Sequence, residues 1–278
     1  MGLYITSLNS GSNGNCYYVG NDTEAILIDA GISCKEVEKR MKRLNLSITK
    51  VKALFVSHEH SDHIKGIEVL SKKYQVPVYI TEATLINAGL KLEKHLIMPF
   101  SANQFVSIGS ITITPFPKFH DAADPNSFIV GCNKIKVGIF TDIGSACEQV
   151  VKHFQQCHAA FLEANYDEKM LNEGNYPYHL KKRISGGLGH LSNMEALDLF
   201  KKYKPSFMSH LLLSHLSNNN NDPVLVNDLF STYADGVKII IASRYEETEV
   251  YYIQNLKSAE SKTEPLRIIP KQLVFSFA

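Results

Sequence analysis

Short apolar runs separated by turn-forming residues set the rhythm of the first third of the chain. Residues 3–8, 16–19 and 25–29 have the length and the apolar content of strands, and Gly20-Asn21-Asp22 predicts a hairpin between the last two. Val37, Met41 and Leu44 recur at helical spacing among Lys, Arg and Glu, which predicts an amphipathic helix. Residues 51–57 read as a buried strand and about 64–74 as a helix, and Pro77 puts the next strand, 76–80, near an edge. The middle third predicts strands over 105–108, 111–116, 127–132, 136–140 and 159–163, with a helix over 147–156. Between Tyr166 and Gly189 the pattern weakens, as for a long loop or a short helical excursion. Ser192 and Glu195 then make a capping box for a helix over 194–203, which Pro205 follows. Residues 209–214 are strand-like, and Asp222-Pro223 starts a helix reaching Tyr233. Residues 237–242 and 250–253 are expected as a last pair of strands.

Strands outnumber helices, and helices recur between groups of strands. Two mixed sheets packed face to face with helices outside bury such a distribution, an α+β arrangement. With 278 residues, 44% of them hydrophobic, the chain is long enough for one large core or two small ones. No internal repeat divides it. The expectation is a single domain over 1–278, with 244–278 as a peripheral C-terminal extension.

Composition narrows the classes. Lys and Arg number 29 against 28 Asp and Glu, a net charge of +1, which excludes a histone-like binder and leaves room for a local basic patch. The five cysteines are scattered without a C-x-x-C pair, as suits a reducing cytoplasm. No secretory signal opens the chain, and no apolar run approaches the roughly 20 residues that span a membrane.

The densest chemistry lies at residues 58–63, His-Glu-His-Ser-Asp-His, directly after the predicted strand 51–57. Imidazoles and a carboxylate suit zinc or a similar first-row metal, not magnesium or calcium. The spacing differs from H-E-x-x-H, whose histidines share one helix face, so this site is expected to be loop-borne and to need ligands from elsewhere. Three polar residues end apolar strands downstream: His120 after 111–116, Asp142 after 136–140, and His215 after Leu213-Ser214. Together with His58, His60, Asp62 and His63 they make a complete two-metal set.

The H-x-H-x-D-H motif, the later His120, the Asp after Thr141 and the final His215 resemble the metallo-β-lactamase superfamily over about residues 3–243. That resemblance implies a four-layer αββα sandwich with the metals at one edge. It assigns His58, His60 and His120 to one ion, Asp62, His63 and His215 to a second, and Asp142 as the bridge. Gly189-His190-Leu191-Ser192-Asn193, followed by Leu213-Ser214-His215-Leu216-Ser217, is similar to the paired motifs of ribonuclease Z-like phosphodiesterases. There the first His contacts the scissile phosphate, a role that falls to His190. Within the superfamily the chain is most similar to the YycJ/WalJ-type group. The shared segments include Ser10–Asn15, His120-Asp121-Ala122 and Glu163-Ala164-Asn165-Tyr166-Asp167, although many members carry His at the position of Tyr166. This group implies a 5′-to-3′ DNA exonuclease. The long exosite arm of ribonuclease Z is absent from the sequence, and the interval from Asp142 to His215 is too short for the inserted β-CASP domain.

The expected mechanism has a hydroxide, shared by two divalent metals, attacking phosphorus in line. Asp62 orients the nucleophile and His190 steadies the leaving group. Zinc is the first expectation, with manganese or iron compatible with the same ligands. Lys181, Lys182 and Arg183 are candidates to grip backbone phosphates, and Ser12 and Asn13 to bring backbone N–H groups near the site. DNA is the expected substrate, and no membrane partner is expected. The competing reading is a small-molecule metallohydrolase acting on a thioester, lactone or cyclic nucleotide.

Overall fold

In the computed structural model, residues 2–255 are described. The first sheet contains β1 (Leu3–Asn9), β2 (Cys16–Gly20), β3 (Ala25–Ile28), β4 (Val51–Phe55), β5 (Val78–Ile80) and β6 (Ile97–Pro99), with β14 (Tyr251–Ile253) on its other edge. The second contains β7 (Val106–Ile108), β8 (Ile111–Pro117), β9 (Asn126–Cys132), β10 (Ile135–Phe140), β11 (Ala159–Glu163), β12 (His210–Ser214) and β13 (Lys238–Ile241). Each sheet is antiparallel over one half and parallel over the other. Strands β3 to β6 run parallel, as do β10 to β13.

Alternation along the strands decides what each face packs against. Ile5, Tyr17, Ile28 and Phe55 point from the first sheet toward Ile113, Phe128, Ile139 and Phe161 of the second, forming the central core. The opposite face of the first sheet is covered by α1 (Cys34–Arg43) and α3 (Ile67–Tyr74), through Val37, Met41, Ile67 and Leu70. That of the second is covered by α5 (Glu148–Phe154), α8 (Asn193–Tyr203) and α9 (Pro223–Ser231), through Val150, Phe154, Phe200 and Phe230. The result is the expected αββα sandwich. The Ser192–Glu195 capping box starts α8, and Asp222 caps α9.

Two local expectations are corrected. The segments 237–242 and 250–253 are not paired: β13 runs parallel to β12, whereas β14 runs antiparallel to β1 in the other sheet. Periodicity marks a strand but carries no record of its partner. The connection between them crosses from one sheet to the other and is tied down where Thr248 meets Thr6 and Ser7. The expected helix over about 64–74 is split into a four-residue turn, α2 (Ser61–Ile64), and α3, broken at Gly66. The helix α4 (Glu82–Ala88) and the edge strand β6 carry too weak a pattern to be read beforehand. Residues 256–278 of the expected C-terminal extension lie outside the described residues; its earlier part supplies β14.

The weak stretch from Tyr166 to Gly189 contains two helices, α6 (Glu168–Glu173) and α7 (Tyr178–Ser185). Lys181, Lys182 and Arg183 therefore stand on a helix and not in a loop. Among the described residues, no helix is long and apolar enough to cross a membrane.

Candidate metal centre

The candidate residues gather at the end of the sandwich where parallel strands finish. His58 lies just past β4, and Asp62 and His63 sit on α2, whose turn is closed by His63 N–H donating to the His60 carbonyl (2.9 Å). The motif is thus part loop and part helix, contrary to the loop expected from its spacing. His120 follows β8, Asp142 follows β10, Glu163 ends β11, and His215 follows β12. Asp29, Asp142 and His215 take left-handed backbone angles (φ 59°, 53° and 57°), uncommon for residues other than glycine. This turns the chain sharply as each strand ends. Close packing of α2 depends on Gly31: a Cβ there would lie 1.6 Å from the Asp62 carbonyl oxygen.

Two sets of ligand atoms result. His58 Nε2 and His60 Nδ1 are 3.1 Å apart, and His60 Nδ1 and His120 Nε2 are 3.3 Å apart. Nitrogens bound tetrahedrally at about 2.0–2.1 Å stand about 3.3–3.4 Å from each other, so this set has the edge lengths of a metal cage. In the second set Asp62 Oδ2 lies 3.6 Å from His63 Nε2 and 3.5 Å from His215 Nε2. Asp142 stands between the sets, with Oδ2 3.2 Å from His63 Nε2 and Oδ1 4.0 Å from His120 Nε2. Two buried atoms here, Asp142 Oδ2 and His215 Nε2, make no hydrogen bond. Buried polar atoms are rarely left unpaired, and a divalent cation would satisfy both.

The far side of each ring is held. His58 Nδ1 meets Ser57 Oγ (2.9 Å), His120 Nδ1 the Gly189 carbonyl (3.0 Å), His63 Nδ1 Asp29 Oδ2 (2.7 Å), and His215 Nδ1 Glu163 Oε1 (2.8 Å). Holding each ring at Nδ1 turns its Nε2 toward the centre, as metal-binding histidines require. Electrostatics separates the two sets. Burial pushes His58 well below the ordinary imidazole range and His120 down to about 4, which keeps both neutral. Burial acts the same way on His63, but Asp142, Asp29 and Asp62 outweigh it and raise the ring to about 10. His215 is likewise raised against burial, chiefly by Asp142. The carboxylate-rich set therefore calls for positive charge, and the donor chemistry fits a divalent metal.

His190 sits at the mouth, its side chain 21% exposed, with Nδ1 2.8 Å from Glu163 Oε1. That same oxygen takes His215 Nδ1, so one buried carboxylate orients both rings. Burial would raise Glu163, but the His190 charge and the hydrogen bonds from His190 and His215 bring it down to about 2. A cleft of about 180 Å³ opens here, lined in part by Ser12, Tyr176, Arg183, His190, His215 and Ser217.

The other expected contacts separate. Ser12 and Arg183 line the cleft, but Arg183 Nε is bound to Asp121 Oδ2 (2.5 Å). Lys181 Nζ is spent on the Asn172 carbonyl (2.6 Å), Lys182 is exposed, and the Asn13 side-chain amide donates to the Arg244 carbonyl (2.9 Å). Tyr166 is buried, bridging to Ser192. Glu59, without a reading from sequence, accepts from Ala123 N–H (2.7 Å) and so fastens the loop after His120.

Sequence reasoning missed Asp29, Asn15 and the roles of Ser57 and Glu163. Asp29 and Glu163 were findable: both are acids at the ends of apolar strands, the signal that singled out Asp142. Asn15, whose amide lies 3.1 Å from His63 Nε2 and 3.3 Å from Asp62 Oδ2, had no such mark.

Residues 10–130 match the family model of the metallo-beta-lactamase superfamily. The chain is 36% identical to exodeoxyribonuclease YycJ of Bacillus anthracis over 80% of its own length and 85% of that protein. It is 30% identical to exodeoxyribonuclease WalJ of Streptococcus pneumoniae, again over 80% of its length, and 84% of that protein. The crystal structure of the metallo-beta-lactamase fold protein YhfI from Bacillus subtilis superposes with a TM-score of 0.70 at 17% identity, over 91% of this chain and all of that one. With its sandwich and its cluster of histidines and acids, the chain belongs to the metallo-β-lactamase superfamily of metal-dependent hydrolases, in its YycJ/WalJ-type branch.

Proposed function

We propose that the chain is a two-metal phosphodiesterase, a 5′-to-3′ DNA exonuclease, acting in the cytoplasm, where its five free cysteines stay reduced. His58, His60 and His120 would hold one ion and Asp62, His63 and His215 the other, with Asp142 between them; zinc is the first choice, manganese or iron the alternatives. When bound, such ions lower the pKa of water toward neutrality and offset charge on phosphoryl oxygens. Asp62, partly exposed at the mouth, orients the attacking water. His190, held at Nδ1 by Glu163, turns its other nitrogen to the substrate and delivers a proton to the leaving oxygen.

The observation that carries this reading is the Glu163 carboxylate, within 2.8 Å of both His190 and His215. It gives a histidine outside the two ligand sets the fixed orientation that a phosphate ester's leaving group needs. The relatives named exodeoxyribonucleases support the choice of DNA. The test is a panel of end-labelled single- and double-stranded DNA with Mn or Zn, beside bis-p-nitrophenyl phosphate and a thioester, with metal analysis of the same preparation. Stepwise release of nucleotides from 5′ ends is expected. Thioester hydrolysis without any phosphodiester cleavage would replace this reading with the small-molecule one.

A further inference from the structure

One cation whose stem lies against the Ser10–Asn13 loop beside the cleft is not among those the sequence singled out. Arg183 is paired with Asp121 and Lys181 with a carbonyl, whereas Arg244 takes part in no ion pair among the described residues. Its Nη1 is buried without a hydrogen-bond partner. A guanidinium with an idle donor is unusual, because its fork of N–H groups is normally matched to an oxyanion.

Arg244 is tied to the centre through the chain it crosses. Ser10 N–H donates to the Ser243 carbonyl (3.1 Å), and Ser10 Oγ in turn accepts from His215 N–H (2.8 Å). The stem of Arg244 lies over Gly11, where an added Cβ would come 3.3 Å from its own Cβ. Gly11 adjoins Ser12, which lines the cleft.

Two aromatic rings flank the same edge. Tyr176 lines the cleft, its hydroxyl accepting from Asn219 Nδ2 (3.0 Å). Tyr245 is 75% exposed, yet its hydroxyl donates to Asn218 Oδ1 (3.0 Å). Asn218 and Asn219 are themselves bonded (3.0 Å), so the short asparagine run, otherwise unexplained, pins both phenols. An exposed tyrosine held at its tip offers a ring face already fixed in place. Unpaired bases stack on such faces whatever their identity.

We propose that Arg244, Tyr245 and Tyr176 form a subsite for an unpaired stretch of nucleic-acid strand beside the metal centre. The guanidinium takes a backbone phosphate and the two rings take bases. The subsite rests on the phosphodiesterase reading above and adds that the strand enters separated from its complement. A ring face stacks on a base only where that base is parted from its neighbours, as in a separated strand.

The test uses the full chain loaded with Zn or Mn, a fluorescent single-stranded oligonucleotide and bis-p-nitrophenyl phosphate, which is too short to reach the rim. In Arg244→Gln the KM for the oligonucleotide should rise at least tenfold relative to that for the small ester. The slope of log affinity against log salt should shrink by about 0.7, the value of one single-strand phosphate contact. Arg244→Lys should restore the salt slope, and Tyr245→Ala should raise the oligonucleotide KM severalfold without altering that slope. Unchanged oligonucleotide KM and salt slope in Arg244→Gln, with the small ester still cleaved, overturn the subsite alone. A wild-type enzyme that cleaves neither substrate overturns the phosphodiesterase reading and the subsite with it.

Discussion

The two sheets contribute to one centre in opposite ways. From the first come His58, His60, Asp62 and His63 in a single stretch past β4. The second gives one residue at a time: His120, Asp142 and His215 past β8, β10 and β12, Glu163 at the end of β11, and His190 past α7. A contiguous motif fixes its geometry locally, through the α2 turn and the room left at Gly31. Dispersed residues depend on strand register across the second sheet, where Phe161 pairs with Ile139 on one side and Leu212 on the other. The first contribution is therefore robust to distant change, and the second is as precise as the packing beneath it.

Loss of the contiguous side should have the largest effect. Replacing His58 and His60 together with alanine should strip the metal that they and His120 would hold and, on the proposed function, lower phosphodiester hydrolysis by at least about 10³-fold. Metal analysis and initial rates read both. On the dispersed side, His190→Ala should cost about 10²–10⁴ in kcat while the metal content stays at the wild-type level. A wild-type rate would remove His190 from the chemistry.

Outer partners compare the halves more finely. Asp29→Asn, behind His63, should weaken metal binding about 10–100-fold in a chelator competition. Glu163→Gln should weaken it by a similar factor through His215 and also lower kcat through His190, because one carboxylate serves both rings. If Glu163→Gln changed metal affinity alone, its link to His190 would have no catalytic weight.

The smallest effect lies at the far end of the sandwich. Glu24, in the hairpin between β2 and β3, accepts from Ser110 N–H (2.7 Å) in the turn between β7 and β8, so it joins the two sheets away from the metals. Hydrogen bonds from Thr23 and Ser110 hold its carboxyl at about 2, below its ordinary 4.5. The folded value is depressed, so this contribution is complete above about 4.5 and lost as pH falls through about 2. Glu24 is partly exposed, so Glu24→Gln should lower Tm by only about 1–2 °C at neutral pH. The difference from wild type should vanish near pH 2, as thermal unfolding against pH would record.

How much of this was legible follows from the same contrast. The hexapeptide declared itself because its ligands are neighbours in sequence. His120, Asp142 and His215 stand out as polar residues at the ends of apolar strands. Glu163 and Asp29 obey that rule too but touch histidines from behind, and sequence carries no sign of which strands lie side by side. For the same reason the two last strands were expected to pair with each other and instead joined opposite sheets. The basic run Lys181, Lys182 and Arg183 stood out by composition, yet two of its charges are already occupied. Charge is visible in a sequence, but whether a charge is free is not.

Gly31 has a consequence for how such a centre can be inherited or built. Because no side chain fits between it and the Asp62 carbonyl, the six-residue motif cannot be grafted by itself onto the end of an arbitrary strand. Gly66 adds the same restriction on the other flank, where a Cβ would lie 2.1 Å from the Ile32 carbonyl oxygen. The transplantable module is the whole passage from β3 through α2 and into Gly66, with Asp29 and Gly31 carried along. A designer who copied only the histidines would copy the ligands and leave behind the mould that shapes them.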